Sequence, residues 1–255
     1  MAATGRLAGR VAIVTGAGGE IGGAVAHRFA AEGANVVLAA RSEPTLAAVA
    51  ADIRSRGGEA LESAVDLNDP LRLVVHYTRS LYGALFIAPE PKRVLMIGLG
   101  GAGFHRLFSA AFPDSLLHTV ELDPKVLELC ESRMEFKRTE RTPVTLMDGR
   151  MFVKHNRDTW DWLILDAFRG GFVPPHLKTE EFYRECARRI SDRGVFISNL
   201  HATSELFYSD IKTIQAVFPQ VVLFATRDRG NVIAVAVKYR TPVITDPAAW
   251  PATDK

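Results

Sequence analysis

Apolar and polar positions follow two alternating periodicities along the chain, which predicts an α/β fold built in two successive segments. In the first segment, residues 1–69, short β-branched apolar runs predict strands, and the stretches between them predict helices. The order is β-α-β-α-β, with strands at Arg10–Thr15, Val36–Ala40 and Ala60–Asp66. Strands joined in this way form one half of a doubly wound parallel sheet, so we predict a half-Rossmann segment.

The strand–helix alternation restarts in the second segment, residues 70–240, and residues 241–255 form a tail. An amphipathic helix is predicted over Leu71–Phe86, followed by a Rossmann-like sheet of the methyltransferase type, whose last two strands form an antiparallel hairpin. The seven predicted strands are Arg93–Ile97, Leu116–Leu122, Val144–Met147, Trp160–Asp166, Gly194–Asn199, Val221–Ala225 and Asn231–Val237. The helices predicted between them are Phe104–Phe112, Pro124–Glu135, Thr179–Ile190 and Ser204–Phe218. We therefore expect two separate sheets.

Composition supports the division and excludes several classes of protein. Residues 1–69 contain 18 alanines and no lysine, whereas all 8 lysines lie in the second segment. The net charge of +2 gives no reason to expect nucleic acid as a partner, and no apolar run approaches the ~18 residues of a membrane helix. Met1–Arg10 lacks the apolar core of a secretory signal, and the two cysteines, Cys130 and Cys186, lack CxxC spacing. We expect a cytoplasmic protein with two free thiols.

A glycine loop, TGAGGEIG over Thr15–Gly22, comes after the first predicted strand and opens the first helix. Glycines there let the backbone approach a pyrophosphate, whose charge the helix N-terminus favours. The segment resembles the N-terminal half of short-chain dehydrogenases/reductases, which implies NADP as its ligand. The residues implied are Gly16, Gly18 and Gly22 at the phosphates, Arg41 at a 2′-phosphate and Asp66 at adenine.

This first segment departs from that family in two ways. Glu20 stands where the family usually has glycine and adds a negative charge near the phosphates. The family's catalytic half does not come after Asp66, and the one Tyr-x-x-x-Lys match, Tyr208–Lys212, lies in a helix predicted for the other segment. An NAD(P)-dependent oxidoreductase is therefore an alternative without catalytic residues, and a nucleotide-fold remnant without a ligand remains open.

Acidic residues stand at the ends of successive strands in the second segment. A second glycine loop, Gly98–Gly103, comes after the first of these strands, and Glu121, Asp148 and Asp166 come after the next three. Open α/β sheets bind ligands outside the carboxyl ends of their strands. A carboxylate after the second strand can accept both hydrogens of a ribose diol, and one after the third can reach an adenine amino group. The pattern predicts a nucleoside site.

The same residues resemble the spermidine synthase-like, or polyamine aminopropyltransferase, family over residues 70–238. The segments that carry the resemblance are Tyr77–Ser80, Val94–Gly103, Val120–Pro124, Asp148–Gly149, Leu165–Phe168, Val173–Tyr183, Gly194–Leu200 and Val217–Pro219. The resemblance implies decarboxylated S-adenosylmethionine or S-adenosylmethionine as cofactor, and transfer of an aminopropyl or other alkyl group to a small-molecule amine. The implied cofactor-binding residues are Gly98, Gly100, Gly103, Glu121, Asp123, Asp148 and Gly149. Asp166 is implied as the catalytic carboxylate that deprotonates the amine, and Tyr77 as part of the amine site.

Three positions depart from this family and change the expected acceptor. Gly101, Arg79 and Arg169 stand where the family commonly has acids. A diamine carries about two positive charges and is repelled by arginine, so we expect a less cationic or an anionic acceptor, or a catalytically silent nucleoside-binding or assembly protein. The histidines show no metal-ligand spacing, so no metal is predicted. The unpaired edge of the first strand favours packing on the main domain or on a second copy, as in a homodimer.

Overall fold

The computed structural model describes residues 5–40, 43–63, 76–168, 172–226 and 230–240. Within them the strands form two separate sheets, of three and seven strands, which confirms the predicted fold class. Backbone contacts divide the chain into two compact units. One contains the N-terminal sheet and also takes in Gly101–Leu107, and the other contains most of the remaining chain. The boundaries proposed above, at residues 69/70 and 240/241, stay a prediction.

The N-terminal unit has the predicted β-α-β-α-β order. Its elements are β1 (Val11–Thr15), α1 (Glu20–Ala31), β2 (Asn35–Ala39), α2 (Glu43–Ser55) and β3 (Ala60–Ser63). The three strands are parallel, in the spatial order β1-β2-β3. Alternate strand residues such as Val14, Val36 and Leu38 form a core with Leu46 and Ile53 of α2, because successive side chains of a strand point to opposite faces.

Two side chains on the other face of this small sheet are exposed. Val11 and Ile13 of β1 are 68% and 42% exposed, whereas Val14 on the helix-covered face is 6% exposed. Among the described residues, β1 pairs with β2 alone, so one edge of β1 has no strand partner. A complete doubly wound sheet covers both faces with helices, whereas α1 and α2 both pack on the face that carries Val14, Val36 and Leu38.

The second unit contains the complete seven-stranded sheet. Its strands are β4 (Arg93–Ile97), β5 (Leu116–Glu121), β6 (Val144–Leu146), β7 (Trp160–Leu165), β8 (Ile190–His201), β9 (Gln220–Ala225) and β10 (Asn231–Val237). The spatial order is β6-β5-β4-β7-β8-β10-β9, and β10 is antiparallel to both of its neighbours. The helices described over residues 76–240 are α3 (His76–Ser80), α4 (Gly103–Ala111), α5 (Pro124–Arg133), α6 (Gly149–His155), α7 (Glu180–Ala187) and α8 (Phe207–Gln215). The backbone contacts divide α4 between the two units after Leu107. This is the predicted methyltransferase-type sheet.

The middle strands of this sheet are mostly apolar because both of their faces are buried. Five of the six residues of β7 are buried, and Trp160 and Trp162 are among the largest fully buried side chains of the described chain. Phe196 of β8 stacks on Phe218 with ring centroids 5.5 Å apart. Continuous apolar runs of this kind are typical of strands covered by helices on both sides.

The structure differs from the prediction most clearly at two helical segments. Helix α6 was not predicted, since seven residues are too short for a helical periodicity to be visible. The described part of the predicted helix Leu71–Phe86 is α-helical only to Ser80 and continues as a 3-10 helix over Leu81–Phe86. There a Cβ on Gly83 would lie 3.1 Å from the Phe224 ring, so this segment packs closely on β9. No helix among the described residues is long and apolar enough to cross a membrane.

Candidate nucleoside and amine site

The predicted site residues of the second unit lie at one edge of its sheet. Strands β4 to β8 pair in parallel, so their carboxyl ends meet at the same edge. Glu121 is the last residue of β5, Asp148 comes after β6, and Asp166 directly after β7. The glycine loop begins at Gly98, directly after β4. The structure therefore places the three carboxylates and the loop where open α/β sheets bind ligands.

Gly98 is required by both its backbone conformation and its surroundings. Its φ is +103°, and a Cβ there would lie 2.3 Å from the backbone oxygen of Asp166. The Asp166 N–H donates to the carbonyl of Ile97 at 2.9 Å, which joins the ends of β4 and β7. Gly100 also has a positive φ, 54°, and Gly103 is the first residue of α4. Only glycine adopts such backbone at low cost, so the loop can approach β7 closely.

Three backbone N–H groups fix the Glu121 carboxylate. Its Oε2 accepts from Leu99 N at 2.9 Å, and its Oε1 accepts from Leu122 N at 2.8 Å and Asp123 N at 2.9 Å. The first of these bonds ties the carboxylate to the glycine loop. A carboxylate has about four acceptor sites, so Glu121 is oriented and retains capacity for a further donor such as a hydroxyl.

Asp148 is held from two directions. Its Oδ1 accepts from Met151 N at 3.0 Å and so caps α6, and its Oδ2 lies 2.8 Å from His176 Nε2. Burial raises the pKa of Asp148, but the hydrogen bonds from Met151 and His176 outweigh it and the net shift is downward. Arg150 orients His176, because Nη1 donates to the His176 carbonyl at 3.2 Å while the guanidinium pairs with both carboxylate oxygens of Glu185.

Exposed apolar side chains lie beside these two carboxylates, although the sequence reasoning assigned them no role. Leu122, Met147 and Met151 are 63%, 42% and 46% exposed. The Met147 N–H donates to the carbonyl of Glu121 at 3.0 Å, which brings the ends of β5 and β6 together. Such side chains offer faces against which a base can pack. Each of these apolar residues lies within three positions of a strand-end acid in the sequence, and this spacing could have identified them.

Asp166 accepts a hydrogen bond on each carboxylate oxygen. Tyr77 Oη donates to Oδ2 at 3.2 Å, as expected for a residue predicted to share its site, and Asn199 Nδ2 donates to Oδ1 at 2.9 Å. Desolvation raises the pKa of Asp166, and the bonds from Asn199 and Tyr77 act against that shift. Burial, then the negative charge of Asp166, raises the pKa of Tyr77 well above its usual value, so this phenol remains a donor. Asn199 lies in one of the motifs that carry the family resemblance, but it was not predicted as a site residue.

Two predicted cofactor-binding residues have evident structural contacts. The Asp123 side chain caps α5 by accepting from Lys125 N at 2.9 Å. Gly149 allows close packing, since a Cβ there would lie 2.4 Å from Cγ2 of Ile97. Contact of either residue with a cofactor stays a prediction.

Two of the three positions that lack the family's acids are described. Arg79 is exposed on α3, two residues after Tyr77, and Gly101 lies in the glycine loop. Arg169 lies outside the described residues. Both cysteines are buried, and neither forms a disulfide within the described residues. Among the described residues, no group of three His, Cys, Asp or Glu side chains is arranged to hold a metal ion.

The glycine loop of the N-terminal unit has the shape of a phosphate loop. Gly16 has a φ of +68°, and a Cβ on Gly22 would lie 2.2 Å from the Gly16 carbonyl oxygen. A Cβ on Gly18 would lie 2.2 Å from Thr45 Oγ1. Glu20 is exposed in the first turn of α1. Arg41 and Asp66, the other residues predicted to contact a dinucleotide, lie outside the described residues.

A seven-stranded, mostly parallel sheet with carboxylates at successive strand ends defines the Rossmann-like methyltransferase class of α/β proteins. The family model of the spermine/spermidine synthase domain matches residues 75–228. The chain therefore belongs to the spermine/spermidine synthase family and is a transferase of that kind. A short chain dehydrogenase model matches residues 10–84, in agreement with the resemblance of the N-terminal segment.

Known proteins similar to this chain include both members of that family and methyltransferases. A polyamine aminopropyltransferase of Chromobacterium violaceum is 31% identical over 201 residues, which cover 78% of this chain and 76% of the relative. A probable spermidine synthase of Corynebacterium glutamicum superposes with a TM-score of 0.63 at 24% identity, over 71% of this chain and 70% of that one. Human methyltransferase-like protein 13, in complex with SAH, has a TM-score of 0.63 at 22% identity, over 68% and 86% of the chains. The two structures share the fold.

Proposed function

We propose that the seven-stranded unit binds S-adenosylmethionine or its decarboxylated form and transfers an aminopropyl or other alkyl group to an acceptor amine. The observation that carries the proposal is the environment of Asp166, a half-buried carboxylate at the ligand edge. Tyr77 and Asn199 hold its side chain, and its backbone packs closely against Gly98 of the glycine loop. Family membership and the polyamine aminopropyltransferase relatives support this type of reaction.

The nucleoside part of the cofactor fits the carboxylates of β5 and β6. Glu121 has acceptor capacity left for a ribose hydroxyl, and Asp148 can accept from an adenine amino group. Leu122 and Met147 provide exposed apolar surface next to these acids for the base. A structural neighbour was solved with SAH, a ligand of the same adenosine–sulfur chemistry.

Asp166 supplies the proton chemistry of the transfer. An alkylammonium must lose one proton before its nitrogen can attack, and a carboxylate at the junction binds the cation, accepts the proton and orients the nitrogen. The new bond forms between that nitrogen and a carbon beside the sulfonium, and the electron pair of the broken C–S bond stays on sulfur. Desolvation, which raises the pKa of Asp166, makes the carboxylate a stronger base than an exposed aspartate.

The acceptor proposed here carries less positive charge than a polyamine. Arg79 is exposed two residues from Tyr77, and Gly101 supplies no carboxylate to the glycine loop. Like charges repel at short range, so the distal ammonium of putrescine is disfavoured. A monoamine or an amino acid-like acceptor meets the same Asp166 without that repulsion.

Calorimetry followed by turnover assays tests the proposal. The titrants are S-adenosylmethionine, its decarboxylated form, methylthioadenosine and NADPH, and the turnover assay compares amines with and without a distal charge. We expect binding of the adenosine–sulfur ligands and transfer to an amine without a distal cation. Robust turnover of putrescine would contradict the proposal that the acceptor carries less positive charge than a polyamine. Binding without turnover of any amine would favour a catalytically silent nucleoside-binding protein.

A second function, dinucleotide binding by the N-terminal unit, is favoured by the conformation of Gly16 and the close approach of Gly22 to it. We propose NADP as the ligand without hydride transfer, because this unit contributes no catalytic residue. NADPH in the same calorimetric panel tests this proposal, and absence of heat at high protein concentration would contradict it.

The homodimer suggested by the edge of β1 is tested separately, by light scattering on the protein as it elutes from a size-exclusion column.

A further inference from the structure

The hydrogen bonds behind Asp166 continue across two more strands. Asn199 on β8 donates its Nδ2 to Asp166 Oδ1, and its own Oδ1 accepts from Asn231 Nδ2 on β10 at 2.8 Å. The backbone carbonyl of Asn231 in turn accepts from Thr226 Oγ1 at 2.8 Å. One continuous chain of polar contacts therefore links the strand-end carboxylate of β7 to the β9–β10 hairpin.

The two ends of the Asn199 amide have nearly the same shape and opposite hydrogen-bond character. If the Asn199 amide rotated by 180°, its Oδ1 would face the Asp166 carboxylate, and two hydrogen-bond acceptors would lie against each other. Asn231 Nδ2 can only donate, so its bond holds Oδ1 of Asn199 on the β10 side and Nδ2 on the Asp166 side. Asn199 is 1% exposed, so water does not compete for either end, and a wrongly oriented polar group would be costly there.

The sheet topology explains why a residue of β10 can do this. Strands β7 and β8 are parallel, and both have their carboxyl ends at the ligand edge. Strand β10 runs antiparallel to β8, with Asn231 opposite His201. The first residue of β10 therefore lies at the same edge as the last residues of β8.

We propose that Asn231 is a positioning residue that acts through Asn199 to fix the orientation of the Asp166 carboxylate. This inference rests on the proposed function in taking Asp166 as the group that receives the acceptor's proton. Asn231 touches neither Asp166 nor, on this proposal, the substrate. It has one task, which is to decide which end of the Asn199 amide faces the carboxylate.

A pH titration of the wild-type protein, monitored by NMR, tests this chain of hydrogen bonds without any substitution. The shift of the Asp166 side-chain carboxyl carbon reports its ionisation, and the side-chain amide signals of Asn199 and Asn231 report the two links. Among the described residues, Tyr77 is the titratable group that is hydrogen-bonded to Asp166, and its raised pKa keeps it protonated through this range. We expect both amide signals to change with the same midpoint as Asp166. A flat Asn231 signal beside a titrating Asn199 signal would show that the chain does not reach β10.

A pair of matched variants tests the effect on Asp166. Asn231→Ala removes the donor that orients Asn199. Ser191→Ala is the control, because Ser191 Oγ also bonds a β7 carboxylate, Asp161 Oδ1 at 2.9 Å, from the other end of the same strand β8. Losing the oriented Asn199 donor removes a contact that lowers the pKa of Asp166. The NMR midpoint of Asp166 should therefore rise in Asn231→Ala and stay at the wild-type value in Ser191→Ala.

Turnover gives an independent second readout. Misplacement of a catalytic group by about 1 Å can cost about 10²-fold in rate, so we expect kcat of Asn231→Ala to fall by about that factor with the KM for the nucleoside cosubstrate unchanged. The acid limb of its pH–rate profile should move to higher pH. Equal kcat and equal Asp166 midpoints in the folded variant and the wild type would overturn the proposal. If wild type turned over no acceptor, the proposed function would fail while the NMR titrations still decided the role of Asn231.

Discussion

The two segments share a strand–loop–helix plan and differ in the strands that come after it. Each contains an apolar strand, a glycine loop and a helix in succession, at Val11–Ala31 in the first segment and at Arg93–Ala111 in the second, where α3 and a 3-10 helix come before it. In the second unit the next strands end in Glu121, Asp148 and Asp166, each held by hydrogen bonds. A glycine loop therefore lets a ligand approach the protein backbone closely. The side chains at the neighbouring strand ends determine which ligand binds and which reaction it undergoes.

Completeness of the sheet is the second difference. The seven-stranded unit buries both faces of β7, whereas β1 of the small unit leaves Val11 and Ile13 exposed on one face. In a complete doubly wound sheet the ligand crevice has strands on both sides of the loop, as β5 and β7 flank β4. In the small unit, among the described residues, β1 has a neighbour on one side alone.

The largest effect is expected from Asp166→Asn. The substitution keeps the shape and removes the charge and basicity, and loss of a general base costs about 10²–10⁴-fold in rate. Affinity for the adenosine–sulfur ligand should be retained, because Glu121 and Asp148 are unchanged. Turnover of the best acceptor and calorimetry on the same protein check both statements. Equal turnover by the variant would exclude Asp166 as the base.

Replacing Glu121 tests whether the strand-end acids account for the different ligands proposed for the two units. Glu121→Ala should weaken binding of the adenosine–sulfur ligand by about 1.5–3 kcal/mol, as expected for hydrogen bonds to a charged acceptor. Binding of NADPH should not change, since Glu121 belongs to the other unit. Unchanged affinity for the adenosine–sulfur ligand would rule out the proposed ribose contact.

Much of the fold could be predicted from the sequence because strands β4, β7 and β10 of the second unit are mostly apolar runs. The predicted and observed limits of β4 and β10 are identical, and β7 differs by one residue. Helix α6 was missed because it is short and begins at a cap, Asp148, that was interpreted only as a ligand-binding acid.

The supporting part of the site could not be predicted in the same way. Asn199 and Asn231 are separated by 32 positions and meet only because β10 inserts between β8 and β9 in the sheet. No periodicity encodes that neighbourhood. No role was predicted for His176, because its bond to Asp148 depends on where the segment after β7 folds.

Glycine-to-alanine substitutions in the two glycine loops compare how much stability each loop loses for the same change. Gly16 and Gly100 have φ values of 68° and 54° with nothing within 4 Å of an added Cβ, so each should lose only about 1–2 kcal/mol for the left-handed backbone. Gly98→Ala adds a contact of 2.3 Å with the Asp166 backbone and should lose more, and its ligand affinity should fall as well. Chemical denaturation of the three variants checks the order. Equal losses at Gly98 and Gly100 would contradict the close packing of β4 on β7.

The smallest effect is expected at Glu20, the one charge that the first loop carries in the first turn of its helix. A negative side chain there stabilises the helix by about 0.3–1 kcal/mol through the dipole, and it repels a phosphate bound at the same place. Glu20→Gln should therefore lower the free energy of unfolding slightly and at the same time strengthen NADPH binding. The opposite signs separate a phosphate site from a purely structural loop, because a loop without a ligand would show only the loss of stability. Denaturation and NADPH calorimetry on Glu20→Gln measure the two effects, and the affinity for S-adenosylmethionine serves as the control that should not move. If NADPH binding were the same with either side chain, the phosphates would not lie at the start of α1, and the first unit would retain the shape of a dinucleotide loop without its function.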